Sequence, residues 1–309
     1  VSAAPLAGRL ALARSGTDRV AVHRGDDAWL SRAWHDERTR VLLVGEGRTL
    51  AADGQLSLLP TRLAPAGERY LLGVEPDGSA YFAVDVGAAP QPPVGSAAAS
   101  VGLRDVGTLL PDRDVGLLVL AIGLSNWHAT HVRCPRCGGP TEVRQAGFVR
   151  RCPSDGSEHY PRTDPAVIML VTDTAGDRAL LGSSTRWPGR RFSTLAGFVE
   201  PGESAEAAVI REVEEESGVR VGDVTYLGSQ PWPFPSSLML GFTARALAPD
   251  AEPVADGVEL AEVRWFGRDE LAEQVAAGQL RLPPPVSIAR LLVEHWYGAL
   301  LPSAPEGSW

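Results

Sequence analysis

GFVEPGESAEAAVIREVEEESGV, residues 197–219, decides how this chain is to be read. Ala205, Val209 and Val213 recur every four residues, so a helix is predicted over 204–217 with that apolar stripe laid against a sheet. Gly218 closes it as a C-terminal cap. At about 100° per residue, Glu212 and Glu216 lie about 40° apart, and Glu215 about 60° to the other side of Glu212. Carboxylates three and four residues apart repel one another on an isolated helix. Hard divalent cations remove that cost, and oxygen-rich clusters suit Mg²⁺ or Mn²⁺, which keep waters and also take substrate phosphates. Arg211 sits one turn before Glu215, in position to pair with it and hold the array. Gly197 suits a loop whose backbone approaches a ligand or metal closely.

The flanking sequence is mixed α/β. PAVIMLV (165–171) and RALLGSS (178–184) read as paired strands. VTYLGSQPW, LMLGFTARAL and AEVRWF read as further strands, with helices near 268–277 and 286–297. The first 86 residues form a strand-rich module. In it VLLVGE (41–46) is a strand, and RYLLGVE (69–75) and AYFAVDV (80–86) make a hairpin about Pro76-Asp77-Gly78. A Pro, Gly and Ala-rich connection follows over 87–100, then a packing helix over 109–128. No repeat of solenoid period is present.

Between these halves stands VRCPRCGGPTEVRQAGFVRRCPSDGSEHYPR, in which the strand-like FVRR is bracketed by two turn-rich corners. Cys134-Pro-Arg-Cys137 and, after fourteen intervening residues, Cys152-Pro-Ser-Asp155 have zinc-ribbon spacing with one ligand changed. Aspartate ligates zinc, so a Cys₃Asp site of Cys134, Cys137, Cys152 and Asp155 is expected, with His159 and His131 as alternative fourth ligands. Such a zinc is structural, because it lies outside the glutamate cluster. Three cysteines form no disulfide framework.

At 309 residues, with 44% apolar residues, more than one domain is expected. The division is a divergent N-terminal domain over 1–128, a zinc-ribbon-like element over 129–160 and an α/β domain over 161–309. A net charge of −9, from 29 Lys plus Arg and 38 Asp plus Glu, disfavours broad nucleic-acid binding but not a small anion held by metals. The longest uncharged apolar stretch, 115–127, is too short for the ~20 residues of a membrane span. The N-terminus carries no basic leader followed by an apolar block, so a cytoplasmic location is expected.

The spacing of Gly197, Glu203, Arg211-Glu212-Val213, Glu215-Glu216 and Gly218-Val219 resembles the box of the Nudix hydrolases at every fixed position. The resemblance implies a Nudix αβα sandwich. It also implies Glu212 and Glu216 as principal metal ligands, Glu215 as ligand or water-orienting base, and Glu203 as a supporting partner of Arg211. The carbonyl of Ala196 or Gly197 is implied as a further ligand, with a later loop adding Glu259, or else Glu262. Ten residues on, SQPWPFPSSLM (229–239) is a stiff aromatic segment on which a planar ring can stack. Its QPWPFPxS core looks like that of the NAD(H) diphosphatases, a resemblance covering Cys134 to the end. That family hydrolyses NADH or NAD⁺ to nicotinamide mononucleotide and AMP, removes NAD caps from RNA 5′ ends, and acts as a homodimer. Carried over by motif position, Phe198 stacks on the nicotinamide, and Tyr160, Gln230, Trp232, Ser237 and Ala289 line the dinucleotide pocket, with Arg104 reaching in from the N-terminal side. The rival expectations are a Nudix activity on ADP-ribose or a sugar nucleotide, and a non-enzymatic zinc-ribbon RNA-binding or adaptor protein.

Overall fold

The computed structural model of the protein describes Leu6 and residues 8–302. Residues 1 and 309, the outer limits of the first and last expected domains, lie outside the described residues. The chain divides into two compact units. One combines Asp164–Gln230 with the chain from Ser237 onward and the described part of the first eleven residues, and the other combines Leu12–Thr163 with Pro231–Ser236.

The first unit is built on a six-stranded mixed sheet. Its strands run in the order Val221–Trp232, Ser237–Ala246, Asp164–Thr172, Arg178–Ser184, Leu260–Gly267, and a short strand, Leu195–Phe198, also pairs with Asp164–Thr172. The strand Asp164–Thr172 is parallel to Ser237–Ala246, in a register running from Asp164 opposite Ser237 to Thr172 opposite Arg245. Its run from Ala166 to Val171 is buried on both faces, as an uninterrupted apolar strand must be. The period of two sorts that run between two cores. Val167, Met169 and Val171 pack with Ala208, Val209 and Val213 of the box helix. Ile168 and Leu170 pack with Ile288, Leu292, Val293 and Trp296 of the last helix. A helix therefore covers each face, which makes the αβα sandwich.

The box helix spans Ala205–Ser217, with Ser204 accepting from the Ala207 N–H at 3.1 Å and Gly218 at φ 67° as its left-handed cap. Its buried stripe is Ala208, Val209 and Val213, while Ala205 stays half-exposed at the margin. The strand Leu195–Phe198 was absent from the sequence reading, because four residues that include Ala196 and Gly197 carry little strand signal. The remaining helices of this unit, Arg268–Ala276 and Ile288–Tyr297, fall where the periodicity put them.

In the second unit the hairpin forms as expected, Glu68–Val74 pairing antiparallel with Ala80–Asp85. Arg40–Val44 and Leu59–Pro60 complete that sheet. A separate sheet holds Gln55–Leu56, Arg48–Ala52 and Ala99–Gly102, and a third, in the ribbon, holds Glu142–Arg144, Val149–Arg151 and Glu158–His159. The packing helix runs Asp112–Thr130, later than expected because Pro111 occupies the N-cap and Leu109 and Leu110 precede it. The helix Asp27–His35 was not read from the sequence: none of its residues is fully buried, so its apolar stripe is thin. Among the described residues no helix is long and apolar enough to cross a membrane.

Candidate active site and candidate metal ribbon

The box helix and the strand Leu195–Phe198 meet at one contact that only glycine permits. A Cβ on Gly197 would lie 1.8–2.2 Å from the carboxylate atoms of Glu212. Gly197 is thus required by close approach, and Glu212 is pressed against the strand backbone. Arg211 ties down the other carboxylates. Its guanidinium donates to both oxygens of Glu203 (2.9 and 2.8 Å), to Glu212 (2.8 Å), to Glu215 (3.0 Å) and to the Phe198 carbonyl (2.9 Å). The Glu203 carboxylate also accepts the Glu200 N–H at 3.1 Å. Arginine's fork holds Glu203 well below the usual carboxylate range, at about 2, so it stays ionised.

Glu216 has the opposite environment. It is 6% exposed, and its Oε2 is buried with no hydrogen-bond partner. Burial first, then the charges of Glu212, Glu259 and Asp256, push its carboxyl up to about 8, against the pull of the Ala196 amide. Burial also raises Glu212. An unpartnered buried oxygen among carboxylates is costly unless a cation joins them. Glu259 comes from the loop before the last strand, where the Asp256 carboxylate accepts the N–H groups of Val258, Glu259 and Leu260 and fixes the turn. With Glu212, Ala196, Gly197, Phe198 and Ser237 it lines a cleft of about 470 Å³. Glu262 lies outside that lining and pairs with Arg264 at 3.9 Å, so Glu259 is the carboxylate the fold brings to the cleft. The donor set, all oxygen with one orphan buried atom, fits hard divalent cations.

The expected substrate residues are placed unequally. Phe198 is 59% exposed, free to stack, and Ser237 lines the cleft. Gln230 is fully buried and donates to the Val286 carbonyl at 3.1 Å, and Ala289 packs in the core, so neither is among the cleft-lining residues. In the other unit, Trp232 stands edge-to-face with Phe234 at 4.9 Å, Arg104 lies over Phe234 at 4.2 Å, and Asn126 donates to the Pro233 and Pro235 carbonyls at 3.0 and 3.1 Å. Tyr160 is 64% exposed, its hydroxyl donating to Glu158 at 3.1 Å. Sequence reasoning missed Arg186, Glu200 and Met239 in the cleft lining, and Asp256 behind Glu259. Only the arginine-rich TRWPGRR stretch before the box offered a signal.

The ribbon is two copies of one turn. Cys134 N–H donates to the Gly139 carbonyl at 2.8 Å and Gly138 N–H to the Cys134 carbonyl at 2.9 Å; the corresponding pairs are Cys152 to Ser157 at 2.9 Å and Gly156 to Cys152 at 3.0 Å. Gly138 and Gly156 take the positive φ each turn needs, 75° and 73°. The ligand atoms of Cys134, Cys137, Cys152 and Asp155 all lie within 4.8 Å of one another. Asp155 Oδ1 accepts from the Ser157 N–H and hydroxyl at 2.9 and 2.6 Å, and Oδ2 faces the Cys134 thiol at 3.5 Å. The Ser157 hydroxyl, at 3.5 Å, is the main cause that draws the Cys134 thiol down to about 6. His159 contacts Ser157, and His131 contacts Thr130 and the Trp127 carbonyl; neither joins the cluster.

Sequence profiles of three families match the chain consecutively: an NADH pyrophosphatase-like rudimentary NUDIX domain over 9–127, an NADH pyrophosphatase zinc ribbon domain over 129–160, and a NUDIX domain over 162–284. The chain is 41% identical over 300 residues to the NAD-capped RNA hydrolase NudC of Mycobacterium bovis, covering 92% of this chain and 94% of that protein. To the human NAD-capped RNA hydrolase NUDT12 it is 42% identical over 198 residues, 60% of this chain and 42% of that one. Among solved structures, a NUDIX hydrolase from Nitrosomonas europaea covers 55% of this chain and 94% of its own at 24% identity and a TM-score of 0.42.

Proposed function

This chain belongs to the NADH pyrophosphatase family of Nudix hydrolases, and from that premise we propose that it hydrolyses the diphosphate of NADH or NAD⁺ to nicotinamide mononucleotide and AMP, and cuts the same bond in the NAD cap of an RNA 5′ end. The observation that carries this is the carboxylate cluster: Glu212, pressed on Gly197, and Glu259, on the facing loop, line the cleft, and Glu216, one helical turn beyond Glu212, is buried with an unpartnered oxygen under the influence of both charges. Relatives named NAD-capped RNA hydrolases support the choice of substrate.

Glu212, Glu216, Glu259 and the Ala196 carbonyl are the proposed ligands of Mg²⁺ or Mn²⁺, which when bound neutralises the diphosphate and lowers the pKa of water. The chain's own residues do the rest. Arg211 and Glu203 hold the helix against the Phe198 carbonyl, so that the carboxylates keep one geometry. Glu215, more exposed than Glu212 and Glu216 and paired with Arg211, is the residue proposed to orient the attacking water. Phe198 offers its ring to the nicotinamide, with Ser237 beside it in the cleft lining. Trp232, Tyr160 and Arg104 are proposed as further dinucleotide contacts on the strength of the motif. Gln230 and Ala289 are proposed to act from beneath, as packing that shapes the pocket.

Zn²⁺ on Cys134, Cys137, Cys152 and Asp155 is proposed as structural. The functional division is proposed at 1–128, 129–160 and 161–309, in a cytoplasmic homodimer. The test is product analysis with NADH, ADP-ribose and NAD-capped RNA under Mg²⁺ or Mn²⁺. Release of AMP and nicotinamide mononucleotide from NADH in preference to ADP-ribose cleavage supports the reading; ADP-ribose cleaved while NADH stays whole overturns it.

A further inference from the structure

Arg186 lines the cleft with Glu200, Glu212 and Glu259 and is exposed. The other arginine in that lining, Arg211, is committed: its guanidinium is shared among Glu203, Glu212, Glu215 and the Phe198 carbonyl. Arg186 is not. Its backbone N–H donates to Ser184 Oγ at 3.3 Å, and its guanidinium has neither a hydrogen bond nor an ion pair to any described residue. A cation that pairs with none of the surrounding carboxylates is not there to balance them.

Its position is nevertheless built. The Thr185 N–H donates to the Glu259 carbonyl at 3.0 Å, and the Thr185 hydroxyl donates to the Val258 carbonyl at 3.0 Å. The loop that carries the arginine is stitched by its base to the loop that carries the outlying carboxylate, so one cation and one anion reach the same cleft from a common support. A guanidinium left free in water gains most from an anion that accepts its planar fork at two oxygens, as the non-bridging oxygens of a diphosphate do.

We infer that Arg186 grips non-bridging oxygens of the substrate diphosphate, supplying positive charge from the protein on the group whose P–O bond is cut. This rests on the hydrolase reading above and deepens it, since nothing in the Nudix box specifies this residue.

The experiment compares Arg186→Gln and Arg186→Lys with Arg190→Gln, which makes the same charge change on the same loop at a residue outside the cleft lining. Steady-state kinetics on NADH are read alongside binding of inorganic pyrophosphate in the presence of Mn²⁺, binding of Mn²⁺ alone, and thermal melting. Arg186→Gln is expected to lower kcat/KM and pyrophosphate affinity about 10- to 100-fold, the worth of a charge-assisted hydrogen-bonded contact. Arg186→Lys recovers part of the loss, Arg190→Gln stays within about twofold because only distant screened charge is removed, and Mn²⁺ affinity and melting temperature do not fall. The inference is overturned if Arg186→Gln binds pyrophosphate like the wild type. It is also overturned if Arg186→Gln weakens Mn²⁺ binding alone, since the arginine would then serve Glu259 and not the substrate. Wild-type protein that binds pyrophosphate through Arg186 but leaves NADH whole would sink the hydrolase reading and not this contact.

Discussion

Two clusters of candidate metal-ligand residues in this chain are built in opposite ways. In the ribbon, the donors of Cys134, Cys137, Cys152 and Asp155 converge within 4.8 Å of one another on two short turns that share one hydrogen-bond pattern. In the cleft, the carboxylates come from a helix and a distant loop around about 470 Å³ of open space. Three sulfurs and one oxygen closed on themselves suit a borderline-soft ion with no position left for a reactant. Oxygens spread round a cavity suit a hard ion that keeps exchangeable positions for water and phosphate. The difference teaches that ligand type and closure together separate a metal that holds a fold from one that handles substrate.

The largest effect should come from the glutamate cluster at the cleft. Glu216→Gln is expected to lower NADH turnover by about 10³-fold or more, as loss of a central charge in a metal site does, while circular dichroism shows an intact fold; a variant with normal turnover breaks the comparison at once. Gly197→Ala forces a Cβ into the Glu212 carboxylate. It should cost about 100-fold in kcat/KM by displacing that group on the order of 1 Å, and metal titration should show weaker Mn²⁺ binding.

The ribbon should respond in stability, not chemistry. Cys134→Ser is expected to reduce zinc content by elemental analysis and to lower the melting temperature by on the order of 5 °C. An unchanged melting temperature with no zinc in either protein would make the ribbon a metal-free relic.

A further effect is a pH slope. The Glu216 carboxyl is shifted from 4.5 to about 8 in the fold. Below pH 4.5 it is neutral in both folded and unfolded chains and imposes no penalty; between 4.5 and about 8 the unfolded chain releases the proton more readily. Metal-free protein should therefore lose stability as pH rises through that window. Urea melts at a series of pH values should show the slope, and Mg²⁺ or Glu216→Gln should flatten it.

Much of the site was legible because its parts are close in sequence. The Gly218 stop was legible from residue type, and the arc of Glu212, Glu215 and Glu216 follows from helical spacing alone, as does the pairing of Arg211 with Glu215 one turn on. The apolar run 165–171 likewise announced a strand, and the fold buries it on both faces. Gln230 and Ala289, named by motif, proved to be interior residues, since a motif marks a position without stating which way its side chain faces. The strand Leu195–Phe198 was invisible, though it is what places Gly197 against Glu212.

By itself the sequence determined the chemistry of each cluster, three glutamates on one helical arc and three cysteines with an aspartate on two turns, because spacing within a helix or a turn is set by backbone geometry over a few residues. Only the tertiary structure decided that Arg186, Glu259 and Ser237 face the same cleft as Glu212, that Glu216 keeps an oxygen without a partner, and that the Asp155 carboxylate lies with the three thiols within 4.8 Å. Those outcomes depend on sheet register and loop closure between segments far apart in the chain. No local pattern encodes them, because the forces that choose them are burial and packing of the whole core.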